Sequence, residues 1–260
     1  MVKRIMILPD VHVSPVTEEE DKQRLFLAGQ YFVANKHDTC VCLGDFADMP
    51  SLCTYDKGTT GFEGRRYKKD INSTSRVMGS FFAPIYAERE RLIKQKRKRW
   101  NPEFLMCMGN HEERINRAVY AEPILEDTIS VQDLEYEEWG WDVKPFGVPH
   151  IYCNICFSHS FPSGVMNRPI SGEHHASSLL KKNYMSSVCG HSHLLDFDTD
   201  VASDGTRKFG LVAGCFTEDN PKYAGASSRL WWRGLTSMEV DEETGEFLSI
   251  YHISLDRLRG

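Results

Sequence analysis

The chain has 260 residues, 41% of them hydrophobic, which suits one large globular domain with a sizeable core. Its formal net charge of −6 excludes a uniformly basic nucleic-acid binder. No apolar run approaches the roughly 20 residues that a membrane span requires, so we expect no membrane segment. We therefore predict a single domain over residues 1–260.

The amino terminus and the cysteines indicate the cellular compartment of the protein. The first apolar run ends at Pro9-Asp10 without a small-residue cleavage site, so it makes a poor signal peptide. We therefore expect a cytoplasmic protein whose eight cysteines are free thiols. Cys153 and Cys156 have a C-x-x-C spacing, but in a strand those two positions point to opposite faces. We interpret them as buried strand residues rather than as a metal or redox pair.

The first part of the chain has the pattern of a βαβ unit. Residues 2–8 are predicted as a buried strand, residues 17–36 as a helix and residues 39–43 as a second strand. A crossover of this length joins parallel strands. Asp10 and Asp45 then lie at the carboxyl ends of neighbouring strands, which is the edge where open α/β sheets bind ligands.

Residues 50–100 form an insertion between two predicted strands. A helical pattern begins near Ser75, and Pro84 must kink that helix or begin a second one. Residues 65–99 contain twelve Lys or Arg and three acidic residues, so this segment carries +9 and the rest of the chain −15. Such a run is either a solvated helix face or a contact surface for a phosphate backbone.

Three further strands are predicted, and each ends at a histidine-containing motif. Residues 104–108 precede Gly109-Asn110-His111-Glu112, residues 151–158 precede His159, and residues 184–189 precede Gly190-His191-Ser192-His193. In an extended backbone, residues two apart share a face. His12 thus shares a face with Asp10, so this pair can bind one ion together, and His191 likewise shares a face with His193.

The last third of the chain is predicted to be rich in antiparallel strands. Asp204-Gly205 is a strong hairpin signal between residues 194–203 and 206–213. Thr244-Gly245 is another, between residues 235–241 and 246–253. We expect these hairpins to form a second sheet that packs against the first.

Taken singly, each polar motif is a weak signal, because a lone Asp-x-His is more often a surface turn. Together, however, the motifs from Asp10 to His193 resemble those of the calcineurin-like metallophosphoesterase family. In chain order they are D-x-H, G-D-x-x-D, G-N-H-E, H and G-H-x-H. The stretch from Gly44 to Asp70 is also similar to family members carried by phages, for which the compartment would be the host cytoplasm. The G-D-x-x-D segment lacks the Arg-Gly that follows it in the protein-phosphatase branch, which argues against that activity.

The resemblance implies a fold and a metal site. The fold would be α/β, a four-layer α/β/β/α sandwich of two mixed β-sheets flanked by helices, with the helical basic insertion added. The site would hold two divalent metal ions, with Asp45 bridging them. His111, next to Asn110, would contact the substrate phosphate or protonate the leaving oxygen. The implied ligands are Asp10, His12, Asp45 and His193 for the first ion, and Asp45, Asn110, His159 and His191 for the second.

The chemistry of these residue types agrees with that implication. Two cations clamp a phosphoryl group and a bridging hydroxide attacks it, so no protein nucleophile is required. Imidazole, carboxylate and amide oxygen together suit Mn²⁺, Fe, Zn²⁺ or Ni²⁺ better than Mg²⁺ or Ca²⁺, and Mn²⁺ is the ion we expect. Asp48 either orients a ligand or caps its loop. His174 and His175 either simply begin a helix or line the substrate cleft.

The predicted function is metal-dependent hydrolysis of phosphate esters. Nucleic acid is the favoured substrate, as for a nuclease or phosphodiesterase, because the basic segment 65–99 lies between two strands that carry the site. The alternative is a phosphomonoesterase or cyclic-nucleotide phosphodiesterase acting on a small molecule, which the overall acidity favours. A non-catalytic binding scaffold is a third interpretation, although such relatives usually lose ligand residues and here all are present.

Overall fold

Thirteen strands and five α-helices follow one another along the computed structural model, which describes residues 1–218 and 222–260, and side chains outside 219–224. In chain order they are β1 Val2–Leu8, α1 Glu18–Ala34, β2 Thr39–Cys42, α2 Tyr67–Lys94, β3 Glu103–Cys107, α3 Glu113–Ala121, β4 Asp142–Lys144, β5 His150–Tyr152, β6 Ile155–Phe157, β7 Pro162–Ser163, β8 Arg168–Pro169, α4 His175–Asn183, β9 Ser187–Cys189, β10 Leu195–Val201, β11 Arg207–Ala213, β12 Gly234–Asp241, β13 Phe247–Ser254 and α5 Leu255–Arg259. Within this described chain, none of the helices combines the length and apolar character that crossing a bilayer requires.

Most of the strands form two mixed sheets. The first has six strands in the order β13-β12-β1-β2-β3-β4, and the second has five in the order β10-β11-β9-β6-β5. Strands β1 to β4 are parallel, and β12 runs antiparallel to β1. In the second sheet β6, β9 and β11 are parallel, whereas β5 and β10 are antiparallel to their neighbours. The parallel register places the carboxyl ends of β1, β2 and β3 at one edge.

Alternating side chains divide the interior into three cores. In β1, Met6 joins the core that packs against α1 and α2, whereas Ile5 joins the core between the sheets. In β9, Val188 faces the core between the sheets and Cys189 joins the core beneath α4. Because successive strand residues face opposite sides, each sheet is covered on both faces. The layers are therefore helices, sheet, sheet and helix, which confirms the predicted four-layer sandwich.

Two of the predicted strands are shorter than expected. The predicted strand 151–158 is wrong, because Cys153 and Asn154 both have positive φ (48° and 56°) and form the turn of the antiparallel β5–β6 hairpin. The predicted strand 184–189 is reduced to β9, because Tyr184 adopts a left-handed conformation (φ 59°) and ends α4.

All eight cysteines are free thiols, as expected.

The two carboxyl-terminal hairpins form as predicted, but they join different sheets. The β10–β11 hairpin extends the second sheet, as expected. The β12–β13 hairpin instead extends the first sheet, where β12 pairs with β1 from Val2 opposite Asp241 to Ile7 opposite Thr236. The expectation that both hairpins build the second sheet is therefore wrong.

The insertion contains one long helix. It begins at Tyr67 rather than near Ser75, and it continues through Pro84, so no second helix begins there. Interior proline costs about 3 kcal/mol. The buried side chains of Phe81 and Phe82 each contribute about 1.5–3 kcal/mol, and this packing accounts for the unbroken helix.

The basic segment is divided between the two ends of α2. Near its first turn, Arg65 Nη1 donates to the carbonyl of Pro50 (3.0 Å), in the loop that follows Asp45. The final group, residues 94–99, precedes the amino end of β3. A helix of 28 residues spans about 42 Å. The two ends of the segment therefore lie at opposite ends of the first sheet.

Helices α1 and α2 pack so closely that a Cβ on Gly29 would lie 2.3 Å from the carbonyl oxygen of Phe81. We expect Gly29→Ala to lower the free energy of unfolding by about 1–3 kcal/mol, because backbone atoms would have to move apart. Urea denaturation measures the change. The matched control is Gly79→Ala in α2, where a Cβ meets only the ring of Trp139, at 3.3 Å. This control should change stability less, and equal stability of Gly29→Ala and wild type would contradict the close packing.

Candidate metal centre

The seven predicted ligands converge at the seam between the two sheets. The first sheet contributes Asp10 and His12 after β1, Asp45 after β2 and Asn110 after β3. The second sheet contributes the remaining three, which are His159 after β6 and His191 and His193 after β9. The structure thus brings together every residue that the sequence predicted as a ligand.

The first group of ligand atoms surrounds the His193 imidazole. His193 Nε2 lies 3.1 Å from His12 Nε2 and 3.4 Å from Asp10 Oδ1. His12 Nε2 is also 3.9 Å from Asp45 Oδ2. All four side chains are buried.

The second group surrounds the His159 imidazole. His159 Nε2 lies 2.9 Å from Asn110 Oδ1, 3.0 Å from His191 Nδ1 and 3.4 Å from Asp45 Oδ2. Asn110 and His191 are half-buried, whereas His159 and Asp45 are buried. The Oδ2 atom of Asp45 therefore faces both groups.

The two groups fit divalent cations. Ligand atoms held about 2.0–2.1 Å from one cation are separated from each other by about 2.9–3.4 Å, and most separations within the two groups have this size. Two sets of three residues, Asp10-His12-His193 and Asp10-Asp45-His159, have ligand atoms that all lie within 4.8 Å of one another. Imidazole and carboxylate are the donors that first-row transition metals bind.

Hydrogen bonds at the other ring nitrogen orient two of the histidines. His159 Nδ1 lies 3.0 Å from the carbonyl of Leu43, to which it can donate. His12 Nδ1 lies 3.2 Å from Asp48 Oδ1. A proton on Nδ1 in each ring leaves the Nε2 lone pair directed at the centre, which is the tautomer that metal binding requires.

The electrostatics of the site favour ionised carboxylates and neutral imidazoles. Burial alone would raise the pKa of Asp45, but the imidazoles of His111, His159 and His12 hold that pKa below its ordinary value. Burial and neighbouring imidazoles lower the pKa of both His12 and His191. Because metals bind carboxylates and neutral imidazoles, both shifts prepare the site for a cation.

The backbone is strained where the ligands are attached. Positive φ angles outside glycine are uncommon, and such strain clusters at functional sites. Five of the seven ligands have positive φ, namely Asp10 (30°), His12 (54°), Asp45 (47°), His191 (69°) and His193 (61°).

Two glycines leave room for the carboxylates. A Cβ on Gly109 would lie 2.0 Å from Asp45 Oδ1, and a Cβ on Gly190 would lie 1.9 Å from Asp10 Oδ2. The glycines of the G-N-H-E and G-H-x-H motifs are therefore required by the neighbouring acidic side chains rather than by their own backbone angles.

His111 lies beside Asp45 and His12, whose ring centre is 4.6 Å from its own. Its Nδ1 is 2.8 Å from Asp48 Oδ1, and its Nε2 is 3.7 Å from Asp45 Oδ2 and 3.1 Å from Arg114 Nη2. Burial lowers the pKa of His111, but the carboxylates of Asp45 and Asp48 outweigh it, so that the pKa is raised. Asp48 contacts both His111 and His12, so it orients side chains at the site.

The other two candidate histidines differ in burial. His174 is exposed, and its place in the substrate cleft stays a prediction. His175 is buried, with Nδ1 3.4 Å from Ser192 Oγ and Nε2 3.7 Å from Cys189 Sγ. His175 therefore supports the loop that carries His191 and His193 from behind.

A family model for the calcineurin-like phosphoesterases matches residues 3–236, which include every predicted ligand and His111. The chain belongs to this family. The resemblance seen in the sequence is thus confirmed, and the protein is a metal-dependent phosphoesterase that hydrolyses phosphate esters.

Three solved structures resemble this calcineurin-like phosphoesterase along nearly its whole length, at low identity. A protein from Streptococcus pneumoniae described as a predicted phosphoesterase has 11% identity and a TM-score of 0.37, over 98% of this chain and 91% of its own. The phosphoesterase Yfce from E. coli has 13% identity and a TM-score of 0.35, over 96% and 100%. TT1561 from Thermus thermophilus has 7% identity and a TM-score of 0.38, over 97% and 99%. No curated protein matches the sequence.

Glu112 belongs to the G-N-H-E motif, but the sequence analysis assigned it no role at this phosphoesterase site. It is fully buried, and its Oε2 accepts from the backbone N–H groups of Asp45 (3.0 Å) and Gly109 (2.9 Å). Its Oε1 accepts from the N–H of Ala47 (3.0 Å) and the hydroxyl of Tyr136 (3.1 Å). One carboxylate thus joins the loop that carries Asp45 to the loop that carries Asn110.

We expect Glu112→Gln to destabilise the protein by about 1–3 kcal/mol, because an amide NH₂ would face hydrogen-bond donors and leave them unsatisfied. It should also weaken metal binding, since the Asp45 loop would lose its support. Thermal unfolding and metal content measured on the same samples check both effects. Glu113→Gln is the control, because Glu113 is only half-buried and its side chain accepts from Asn116 Nδ2 (2.8 Å), on the same helix, rather than from a ligand loop. If the two variants behave alike, Glu112 does not hold the loops together.

Proposed function

We propose that this calcineurin-like phosphoesterase is a two-metal phosphodiesterase acting on nucleic acid. In this proposal the seven converging residues are its metal ligands, and residues 1–260 work as one domain. The position of one oxygen carries the proposal. Asp45 Oδ2 lies 3.9 Å from His12 Nε2, 3.4 Å from His159 Nε2 and 3.7 Å from His111 Nε2. This oxygen faces both ligand groups and the candidate catalytic histidine at once.

The residues divide into two ligand sets that share Asp45. Bound ions, Mn²⁺ in our expectation and otherwise Fe, Zn²⁺ or Ni²⁺, would supply Lewis-acid activation of a phosphate ester and of its attacking water. The chain itself supplies fixed positions: backbone and carboxylate acceptors hold the histidine rings, and Glu112 holds the loops. One set would be Asp10, His12, Asp45 and His193, and the other Asp45, Asn110, His159 and His191.

His111 is proposed to contact the phosphate or to protonate the leaving oxygen. Asp48 holds its Nδ1, so that its Nε2 is directed toward Asp45. A proton on Nε2 would then be available to an oxygen that departs from phosphorus, and Asp48 would stabilise the imidazolium before that transfer. Arg114 Nη2 donates to the same Nε2 (3.1 Å), so protonation of Nε2 would release this guanidinium, which would then be available to phosphate oxygens.

Positive charge and aromatic rings at the site support a nucleic-acid substrate. Arg114 Nη1 and Arg117 Nη2, both on α3, donate to the carbonyls of Asp48 and Asn110 (each 2.6 Å), so two guanidinium groups are fixed beside the ligand loops. An aromatic ring also lies beside each ligand group, Trp231 4.2 Å from His193 and Phe146 6.2 Å from His159, between ring centres. Backbone phosphates pair with arginine, and bases stack on aromatic rings.

A small phosphate ester remains the alternative substrate, and the position of the basic segment favours it. Only the beginning of that segment, near Arg65, lies beside the loop that follows Asp45. Residues 94–99 lie at the other end of the first sheet and do not flank the centre. The support for nucleic acid therefore comes from the arginines and aromatic rings around the ligands.

Substrate class is tested by comparing single-stranded DNA with para-nitrophenyl phosphate and its bis ester, in the presence of Mn²⁺. We expect DNA cleavage and turnover of the bis ester, with DNA cleavage falling as salt rises because phosphate contacts are screened. Gel analysis of the DNA and release of nitrophenol measure the two activities. Turnover of the monoester alone, insensitive to salt and without DNA cleavage, would select the small-molecule alternative.

The roles of Asp45 and His111 are tested by substitution. Asp45→Asn should lose both metal and activity, whereas His111→Ala should keep its metal, as elemental analysis of the purified proteins would show. Loss of a general acid lowers the rate by about 10²–10⁴-fold, and more for DNA than for the bis ester, because nitrophenolate leaves without a proton. An equal loss on both substrates would assign His111 to phosphate contact. The control is Asp198→Asn on β10, and full activity in both site variants would refute the assignments.

A further inference from the structure

Residues 94–99, which we call the basic loop, form an exposed cationic surface outside the metal centre. Helix α2 ends at Lys94, and the chain turns through Lys96, whose φ is 52°. The loop then runs to Trp100, the first residue after it that is partly buried. The exposed cations of the basic loop are Lys94, Lys96, Arg97, Lys98 and Arg99.

The basic loop is held firmly at both ends. At its start, the N–H of Lys96 donates to the carbonyl of Ile93 and the N–H of Arg97 to that of Leu92, each at 3.0 Å. At its end, Trp100 Nε1 donates to the carbonyl of His37 (3.0 Å). A loop fixed in this way loses little conformational freedom when it binds a partner.

Four consecutive cations of the basic loop have no carboxylate partner in the described parts of the chain. No carboxylate oxygen there lies within 4.0 Å of the charged nitrogens of Lys96, Arg97, Lys98 or Arg99, although Lys94 pairs with Glu90 at 3.3 Å. Cations also stabilise helix carboxyl ends, but that effect falls off within the last turn of the helix. It does not account for Lys98 and Arg99.

The net negative charge of the protein does not cancel this surface. At physiological salt the Debye length is about 8 Å, so a partner at the basic loop experiences the nearby charges rather than the total of −6. A dense row of cations on a rigid loop complements a row of phosphates.

The basic loop is far from the metal centre. It contacts His37 through Trp100, and His37 precedes β2, whereas Asp45 follows the same strand. Eight residues of extended chain cover about 26 Å. The basic loop therefore cannot belong to the catalytic cleft, and any polymer that touches both must span this distance.

We propose that the basic loop binds the phosphate backbone of a polynucleotide at a second surface, which tethers the polymer to the enzyme away from the metal centre. Its use in catalysis rests on the function proposed above, but binding itself requires no hydrolysis. A duplex rises 3.4 Å for each base pair, so a span of about 26 Å corresponds to about 8 base pairs. Long nucleic acids would thus bind more tightly than short ones.

The test is a binding measurement on the full chain with Mn²⁺. The probe is a fluorescent single-stranded DNA of about 30 nucleotides whose phosphorothioate linkages resist hydrolysis and keep the charge, titrated between about 50 and 200 mM salt. The variant replaces all four unpaired cations by Gln, and the matched control replaces two Lys and two Arg elsewhere on the surface. The control residues are Arg168, Lys181, Lys182 and Arg257.

We expect the basic-loop variant to bind at least about tenfold more weakly at low salt, and its salt slope to fall by roughly 2–3, at about 0.7 for each lost contact with a single strand. The control should stay within about twofold of wild type, and hydrolysis of bis-para-nitrophenyl phosphate should be unchanged in both variants. Lys98→Glu with Arg99→Glu is a second, smaller variant that should show the same loss if the fourfold variant does not fold.

Several outcomes would overturn the proposal. Wild-type DNA binding by the variant would do so, as would an equal loss in the control. Competition by polyglutamate as effective as competition by unlabelled DNA would instead assign the surface to acidic proteins. Failure of the proposed hydrolysis gives a different result, because the loss of DNA binding would persist while no phosphodiester is cleaved by the wild type.

Discussion

The constraint on which the rest of the structure depends is the meeting of imidazole and carboxylate lone pairs in one small buried volume. Asp45 presents a single oxygen to two groups of ligand atoms, and these groups otherwise repel one another. Left-handed backbone at five of the ligands adds strain, on the order of 1–3 kcal/mol for each residue. Bound cations would relieve the repulsion and thereby link folding to metal binding, since a ligand that binds only the native state stabilises that state.

The fold makes this meeting possible because strands of both packed sheets end on the same side of the sandwich. Parallel strands place their carboxyl ends side by side, and the core between the sheets keeps the two edges in register. Four ligands come from one sheet and three from the other. Bound ions would consequently join the sheets as well as perform chemistry, and Glu112 provides a purely protein-based link between two of the loops on the first sheet.

The sequence predicted the layered architecture and the convergence of the candidate ligands because both leave local marks: alternation along each strand, and short apolar runs that end in polar motifs. It assigned no role to Glu112, because a carboxylate at the amino end of a helix is usually explained by the helix dipole. It also missed the turn inside residues 151–158, since Cys-Asn lacks the glycine of a typical hairpin. The position of residues 94–99 could not be predicted either, because an insertion between two strands can place its charge at either end of a sheet.

The pairing of β1 with β12 has a consequence for biosynthesis. Of these two strands β1 is synthesised earlier, and it is completed on one side only by a strand beginning at Gly234. Until then the nascent polypeptide carries an unpaired inner strand, a ready template for wrong pairing with other chains. Chaperone dependence and translation speed would therefore influence the yield of this enzyme through a contact that lies well away from its chemistry.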